Sequence, residues 1–445
     1  MTIYEADWFC PVSSPPVHNG SIAVENGRIV ALPLGEREAR ARQGEALKNG
    51  AAAPGEGLNR VTFPGCAIIP GFVNAHSHLE LTMLRGFLDD LPFSEWIPKL
   101  THAKYKQLTR DEMLASARLG CVEMLRAGVT CLGEVMDLGT AWPAMREFGL
   151  QGVAYQEVFG PSESQVEQAV TDLIKKIDEF RDDETDTLRV GVSPHSPYTV
   201  SAKLYEALNW YAEQDNLRLA THIAESEDEG LFVRCGTGPF AERWTARGIP
   251  VTPARCSPLA YIDGFGLLRP ETLLVHAIDL ADTDFDILRE KRPAVVHCPK
   301  SNAKLRHGIA RLSEIRETGI AIGLGTDSVA SNNVVDMFEE MRAAIFLQRG
   351  AAMEAPAAFR MATLGGAECL GLSNDLGSLD VGKRADFVVV DLNDPAVQPV
   401  YDPINAMVYS ASRHNVRATF IGGHEIKIDS DELVRECAAT ARRLK

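Results

Sequence analysis

What this sequence lacks narrows its class first. No apolar run approaches the roughly 20 residues that a bilayer-spanning helix needs. The opening Met1-Thr-Ile-Tyr-Glu-Ala-Asp-Trp8 is without the basic-then-apolar order of a signal peptide. Basic residues are in short supply, because 45 Lys and Arg against 61 Asp and Glu leave a formal net charge of −16. Nucleic acid and anionic membrane both call for a basic surface, so neither is an expected partner. The nine cysteines are an odd number, scattered singly with no CxxC pair, which argues against a disulfide framework or a zinc knuckle. The expectation is a reduced, cytoplasmic protein whose cysteines, Cys298 included, are mostly small buried residues.

What is present is an ordinary globular balance, 45% apolar and 24% charged over 445 residues. That length suits a barrel of about 250 to 300 residues with a smaller companion. Ser21–Val30 reads as two short apolar runs joined by Asn26-Gly27, a strong hairpin signal. A polar, Ala- and Gly-rich stretch from about Glu36 to Asn59 reads as a surface excursion. From Cys66 short apolar strands alternate with amphipathic stretches such as Arg110–Ala127, Gln165–Phe180 and Ser201–Asn216. The strands end near His78, Met136, Phe159, Tyr198, Glu225, Ala277, Asn302 and Ser328, and eight of them point to a (β/α)8 barrel. After a helical run at Ala355–Leu370, strand character returns at Asp386–Val390, Ala418–Ile421 and Glu425–Ile428. The expected organisation is a barrel over 67–375 and a small β-sandwich domain built from both chain ends, 1–66 and 376–445.

The eleven histidines are few, and their placement is informative. His76 and His78 end the first barrel strand in Pro70-Gly-Phe-Val-Asn-Ala-His-Ser-His-Leu79, and side chains two apart share a face. A lone HxH is weak evidence. His195, His222, His276, His297 and Asp327 end other strands, however, and all strand C-termini of a barrel open on one face. Three imidazoles (His76, His78, His222) and one carboxylate (Asp327) suit one divalent metal, Zn2+ first, with Fe2+ or Mn2+ as alternatives. A binuclear site would want a bridging lysine, and the fourth strand presents His195 instead. The metal's expected task is to lower the pKa of a bound water towards about 7. Glu225 is the expected proton shuttle, provided the chain turns just past His222; otherwise the acidic run Glu225–Glu229 is a solvated loop. Asp327 would also accept a proton, and His276 would orient the water. His297 is equally compatible with a satisfied polar residue. His18, His102, His307, His414 and His424 read as surface residues.

Together these motifs, with Thr221-His-Ile-Ala-Glu225, His297-Cys-Pro-Lys-Ser-Asn302 and Gly323-Leu-Gly-Thr-Asp327-Ser, resemble the amidohydrolase superfamily over nearly the whole chain. Gly382-Lys-Arg-Ala-Asp386 resembles that family's return into its small β domain. Its deaminases of adenine-type nucleosides look nearest. The resemblance implies that His76, His78, His222 and Asp327 bind the metal, that Glu225 protonates the ring nitrogen beside the attacked carbon, and that His276 and Asp327 manage the water. Ser193-Pro-His-Ser-Pro-Tyr-Thr-Val-Ser201 resembles the motif of 5′-methylthioadenosine/S-adenosylhomocysteine deaminases, in which the equivalent of His195 contacts the nucleoside; Trp96 is a further substrate contact. Two departures matter. The run after Phe93-Ser-Glu-Trp96 lacks the acid that holds ribose hydroxyls in those enzymes, and the segment between His222 and His276 is unusually long. Both look more like 6-amino-6-deoxyfutalosine deaminases, whose substrate carries a benzoate that Arg234, Arg85 or Lys300 could pair with. Guanine deaminases and triazine hydrolases share the scaffold, and an inactive scaffold protein would have lost Glu225 or a ligand. The family also often forms homo-oligomers.

Overall fold

A computed structural model describes residues 1–32, 59–348 and 353–444. The polar stretch expected as a surface excursion falls outside the described residues except for Asn59. Two sheets carry the architecture. The first draws on both chain ends: β1 (Thr2–Phe9), β2 (Val17–Glu25), β3 (Arg28–Ala31), β4 (Asn59–Pro70), β13 (Phe387–Asp391), β14 (Val416–Ile421) and β15 (His424–Glu425). The barrel strands are β5 (Phe72–Ser77), β6 (Val129–Met136), β7 (Gln151–Val158), β8 (Leu188–Pro194), β9 (Arg218–Ile223), β10 (Thr272–His276), β11 (Ala294–His297) and β12 (Ile322–Leu324).

The terminal sheet has the order β15-β14-β13-β4-β1-β2-β3. Asn26 and Gly27 both take positive φ, 49° and 76°, as the tight turn between β2 and β3 requires. The sheet curls until its β3 edge meets the segment entering β13, where Ile29 N–H donates to Lys383 O and Ala385 N–H donates to Gly27 O. It thereby encloses its own core of Phe9, Ile22, Phe63, Phe387 and Phe420. Alternate residues such as Val388 and Val390 face the other way, into the main core shared with the barrel. The last helix, Asp431–Arg443, packs against the barrel helix Arg110–Arg126 rather than against this sheet.

Barrel strands pair in parallel in chain order from β5 to β12. The seam closes where Asp327 N–H donates to His76 O at 3.0 Å and Ser77 pairs with Asp327. Closure demands a close approach at Gly325, where a Cβ would sit 2.9 Å from the Cβ of His76. β6 and β7 are buried on both faces along their whole length, as strands covered by helices are, although each carries buried polar residues such as Glu134 and Gln156. Several strands end earlier than their apolar signal suggested. β8 stops at Pro194, β11 at His297 and β12 at Leu324. Beyond these ends the chain stays largely buried, as a turn after β8 and as the short helices Pro299–Lys304 and Val329–Asn332 after β11 and β12. No helix among the described residues is long and apolar enough to cross a membrane.

Candidate metal centre and substrate pocket

Strand ends place His76, His78, His222, His276 and Asp327 around one point. The Nε2 atoms of His76 and His78 each lie 3.5 Å from Asp327 Oδ1. The His222 ring lies 5.0 Å from that of His76 and stacks at 5.5 Å on that of His78. His76, His78 and Asp327, and separately His76, His222 and His276, bring one ligand atom each within 4.8 Å of one another. Burial holds the His76 and His222 imidazoles below their ordinary pKa and pushes that of His78 down to about 3. The rings are therefore neutral, the form that binds metal. Both nitrogens of His76 are buried without a hydrogen-bond partner, a costly arrangement unless something else occupies the lone pair. The donor set fits one divalent cation.

Asp327 is prepared as an anion. Ser301 Oγ and Ser331 Oγ donate to its Oδ2 at 2.5 and 2.7 Å, and Ser328 N–H donates to Oδ1 at 2.6 Å. Burial opposes its charge, but His76 and then His78 hold its carboxyl well below the usual range. The loops bearing His76 and His78 are braced by buried carboxylates. Glu134 accepts from Ser77 Oγ and Leu79 N–H, and Glu80 accepts from three backbone N–H groups of Asp137, Leu138 and Thr140. Such partners orient ligands as the ligands orient the metal.

The turn needed after His222 is present. Ala224 adopts φ 49°, and Glu229 accepts the N–H groups of Ala224 and Glu225 at 2.8 and 2.9 Å. This swings Glu225 back into the site instead of onto the opposite face. Its Oε1 lies 3.5 Å from His276 Nε2 and 3.4 Å from His307 Nδ1. Burial would raise its pKa, yet His276 and His307 together bring it to about 2, so it rests as a carboxylate. His276 presents Nδ1 to Asn302 Oδ1 at 2.9 Å, which turns Nε2 toward the pocket floor. His307 does not sit on the surface as its polar surroundings implied; its side chain is 4% exposed and packs edge-on against Phe93 at 4.6 Å. The other four, His18, His102, His414 and His424, are exposed. His297 is buried and pushed down to about 3 by burial and then by His276, and it lies outside the pocket lining.

Above the floor is a cleft of about 350 Å³, the size class of a small-molecule site. Trp96, Phe159, His195, Tyr198 and Phe240 line it beside Glu225, His276 and Asp327, so His195 and Trp96 lie where substrate contacts were expected. Phe240 stacks on Tyr198 at 3.8 Å, with 4° between the ring planes. The cations expected to meet a benzoate are elsewhere. Arg234 pairs with Asp279, Arg85 with Glu123 and Lys300 with Glu339, and none lines the cleft. In their place stand Arg243, Arg247 and Lys104, with the carboxyl group of Glu157 in the same lining; sequence reasoning missed all four. Glu229 had a readable signal, since Ser226…Glu229 is the S-x-x-E spacing of a helix start, and Ser226 does cap the helix Glu227–Cys235. The pocket arginines had none.

Comparison with known proteins adds four findings. The Amidohydrolase family matches residues 67–426. The chain is 36% identical over 422 residues to a protein of Nitratidesulfovibrio vulgaris named 5-methylthioadenosine/S-adenosylhomocysteine deaminase, covering 93% of this chain and 88% of that one. Among solved structures, an adenosine deaminase from Xanthomonas campestris with bound zinc superposes with a TM-score of 0.83 at 29% identity, covering 100% and 98% of the two chains. Helicobacter pylori aminofutalosine deaminase superposes at 0.80 with 22% identity over 96% and 100%, a likeness of fold.

Proposed function

Because the chain belongs to the amidohydrolase family and is a hydrolase acting on C–N bonds, we propose that it deaminates an adenine nucleoside, releasing ammonia from purine C6. The observation that carries this reading is the position of Glu225. Its carboxylate faces His276 at the floor of a cleft whose aromatic walls suit a flat heterocycle. In this reading His76, His78, His222 and Asp327 hold one divalent metal, Zn2+ first on the strength of three imidazoles and a carboxylate. The chemistry such a metal supplies when bound is a water made acidic enough to react near neutral pH.

The chain's own residues do the rest. Asp327, kept anionic by Ser301, Ser328 and Ser331, takes up a proton as the water adds to C6. Glu225 rests ionised, so it must first receive a proton before it can give one to the ring nitrogen beside C6. It thus acts as a shuttle, taking a proton that originates from the attacking water and passing it to that ring nitrogen, while the proton held by Asp327 goes to the amino group that leaves as ammonia. His276, oriented by Asn302, stabilises charge developing beside C6. Trp96, Phe159 and His195 hold the purine and sugar and exclude water.

The 5′ substituent is the finer question. The missing acid after Trp96 and the long segment between His222 and His276 favour 6-amino-6-deoxyfutalosine. The name of the Nitratidesulfovibrio relative favours 5′-methylthioadenosine and S-adenosylhomocysteine as the alternative. Measuring ammonia release across these three, adenosine, guanine and a chlorotriazine decides the matter. Release is expected from a 5′-modified adenosine; release from guanine or the triazine alone overturns the reading.

A further inference from the structure

The pocket is acidic at its floor and cationic at its mouth. Arg243 and Arg247 both line it, four residues apart on a helical turn that continues through Arg247 N–H donating to Trp244 O, so they emerge on one side. Acids outnumber bases in this chain, 61 to 45, and cations near the site are paired. Lys104 meets Asp137, Arg234 meets Asp279 and Lys300 meets Glu339. Among the described residues, neither Arg243 nor Arg247 forms an ion pair with a carboxylate. Burial, and then the neighbouring charge of Arg247, disfavour the charged form of Arg243.

The pair is also held in place. The short helix Pro239–Thr245 that carries Arg243 is pinned over the barrel by Phe240 stacked on Tyr198 and by Trp244 Nε1 donating to Tyr198 O at 2.5 Å. The Arg247 guanidinium lies 5.2 Å from the Trp244 ring centroid. Two guanidiniums lining one cleft without a carboxylate counterion repel each other until an anion joins them, and the guanidinium fork matches carboxylate or phosphate oxygens in pairs.

We propose that Arg243 and Arg247 form an oxyanion subsite at the pocket mouth, taking a carboxylate or phosphate borne on the substrate's tail, away from the base being deaminated. The placement of the purine at the floor rests on the deaminase reading above; the anion subsite rests on the arginines alone.

The test compares matched ligands on the zinc-loaded enzyme: a 5′-carboxyalkylthioadenosine against its primary amide, and adenosine 5′-phosphate against adenosine. In the wild type, kcat/KM should favour one charged member by roughly 10- to 100-fold, and the favoured arm identifies the anion. In the double variant Arg243→Gln/Arg247→Gln that ratio should collapse to near one. A wild-type ratio near one in both arms, or an undiminished ratio in the double variant, overturns the subsite. Calorimetric binding of the same pairs to zinc-loaded Glu225→Gln separates the two readings. Unequal binding without turnover by the wild type would retain the subsite and reject deamination, whereas equal or absent binding would reject the subsite.

Discussion

At the floor of the pocket, His76, His78, His222 and Asp327 ride on strand ends and are buried, mutually compensated and braced by Glu134, Glu80 and three serines. At its mouth, Phe240, Arg243 and Trp244 ride on a seven-residue helix held by ring contacts of Phe240 with Tyr198 and Phe93 and by an indole hydrogen bond. The floor is rigid because every charge has a partner whose loss would strand another buried charge. The mouth carries cations without carboxylate partners and few tethers. Chemistry that must not vary belongs on the first kind of structure, and choice of substrate belongs on the second.

The comparison can be broken most severely at the floor. His222→Ala should abolish turnover and lower the metal content of the purified protein. Glu225→Gln should keep the metal yet lose about 10²- to 10⁴-fold in kcat, the usual worth of a proton shuttle. Metal analysis beside steady-state kinetics checks both, and near-normal turnover for Glu225→Gln would remove it from that role. A smaller effect is expected from the residue that aims the shuttle. Glu229→Ala frees the N–H groups of Ala224 and Glu225, and misplacing Glu225 by about 1 Å should cost up to about 10²-fold in kcat with metal retained. Equal losses in kcat and metal would instead make Glu229 a general structural support.

At the mouth, Phe240→Ala removes the stack on Tyr198 and should raise KM about three- to tenfold while sparing kcat. A fall in kcat of the same size would tie the mouth to the chemistry and erase the distinction. The smallest effect concerns Glu157 on the pocket wall, pushed up from 4.5 to about 8 by burial, against the pull of Lys104. Between those values the folded protein keeps a proton that the unfolded chain has released. Stability from protonated Glu157 is therefore complete below about 4.5 and is lost as pH rises through about 8. Urea unfolding at pH 6 and pH 9 should show a shallower decline for Glu157→Gln than for the wild type; parallel declines would mean Glu157 is ionised in the folded state.

The difference between the two regions is also a difference in legibility. A strand end is a local event, so the motif Asn74-Ala-His-Ser-His and the runs closing on His222, His276 and Asp327 can be read where they stand, and the barrel then carries them to one face. His307 escaped because its neighbours, Arg306 and Gly308, are polar or small, and only packing against Phe93 buries it. β8, β11 and β12 read too long in the sequence because the chain beyond each end turns away from the sheet yet stays largely buried at the barrel face, at Ser196–Tyr198, Ser301–Asn302 and Thr326–Ser328. The pocket arginines could not be found, since whether an arginine has a carboxylate beside it is settled by residues distant in the chain.

By itself, then, the amino-acid order determined the alternation of strand and helix and the identity of the residues gathered at the floor, and it made the pairing of both chain ends the simplest expectation. Periodicity and donor chemistry are properties of short segments. Only the tertiary structure decided that Ala224 turns Glu225 into the site, that Glu229 holds that turn, and that the pocket's cations are Lys104, Arg243 and Arg247 rather than Arg85, Arg234 or Lys300. Each of these depends on which groups meet across the fold, and on the burial that makes an unmatched charge costly.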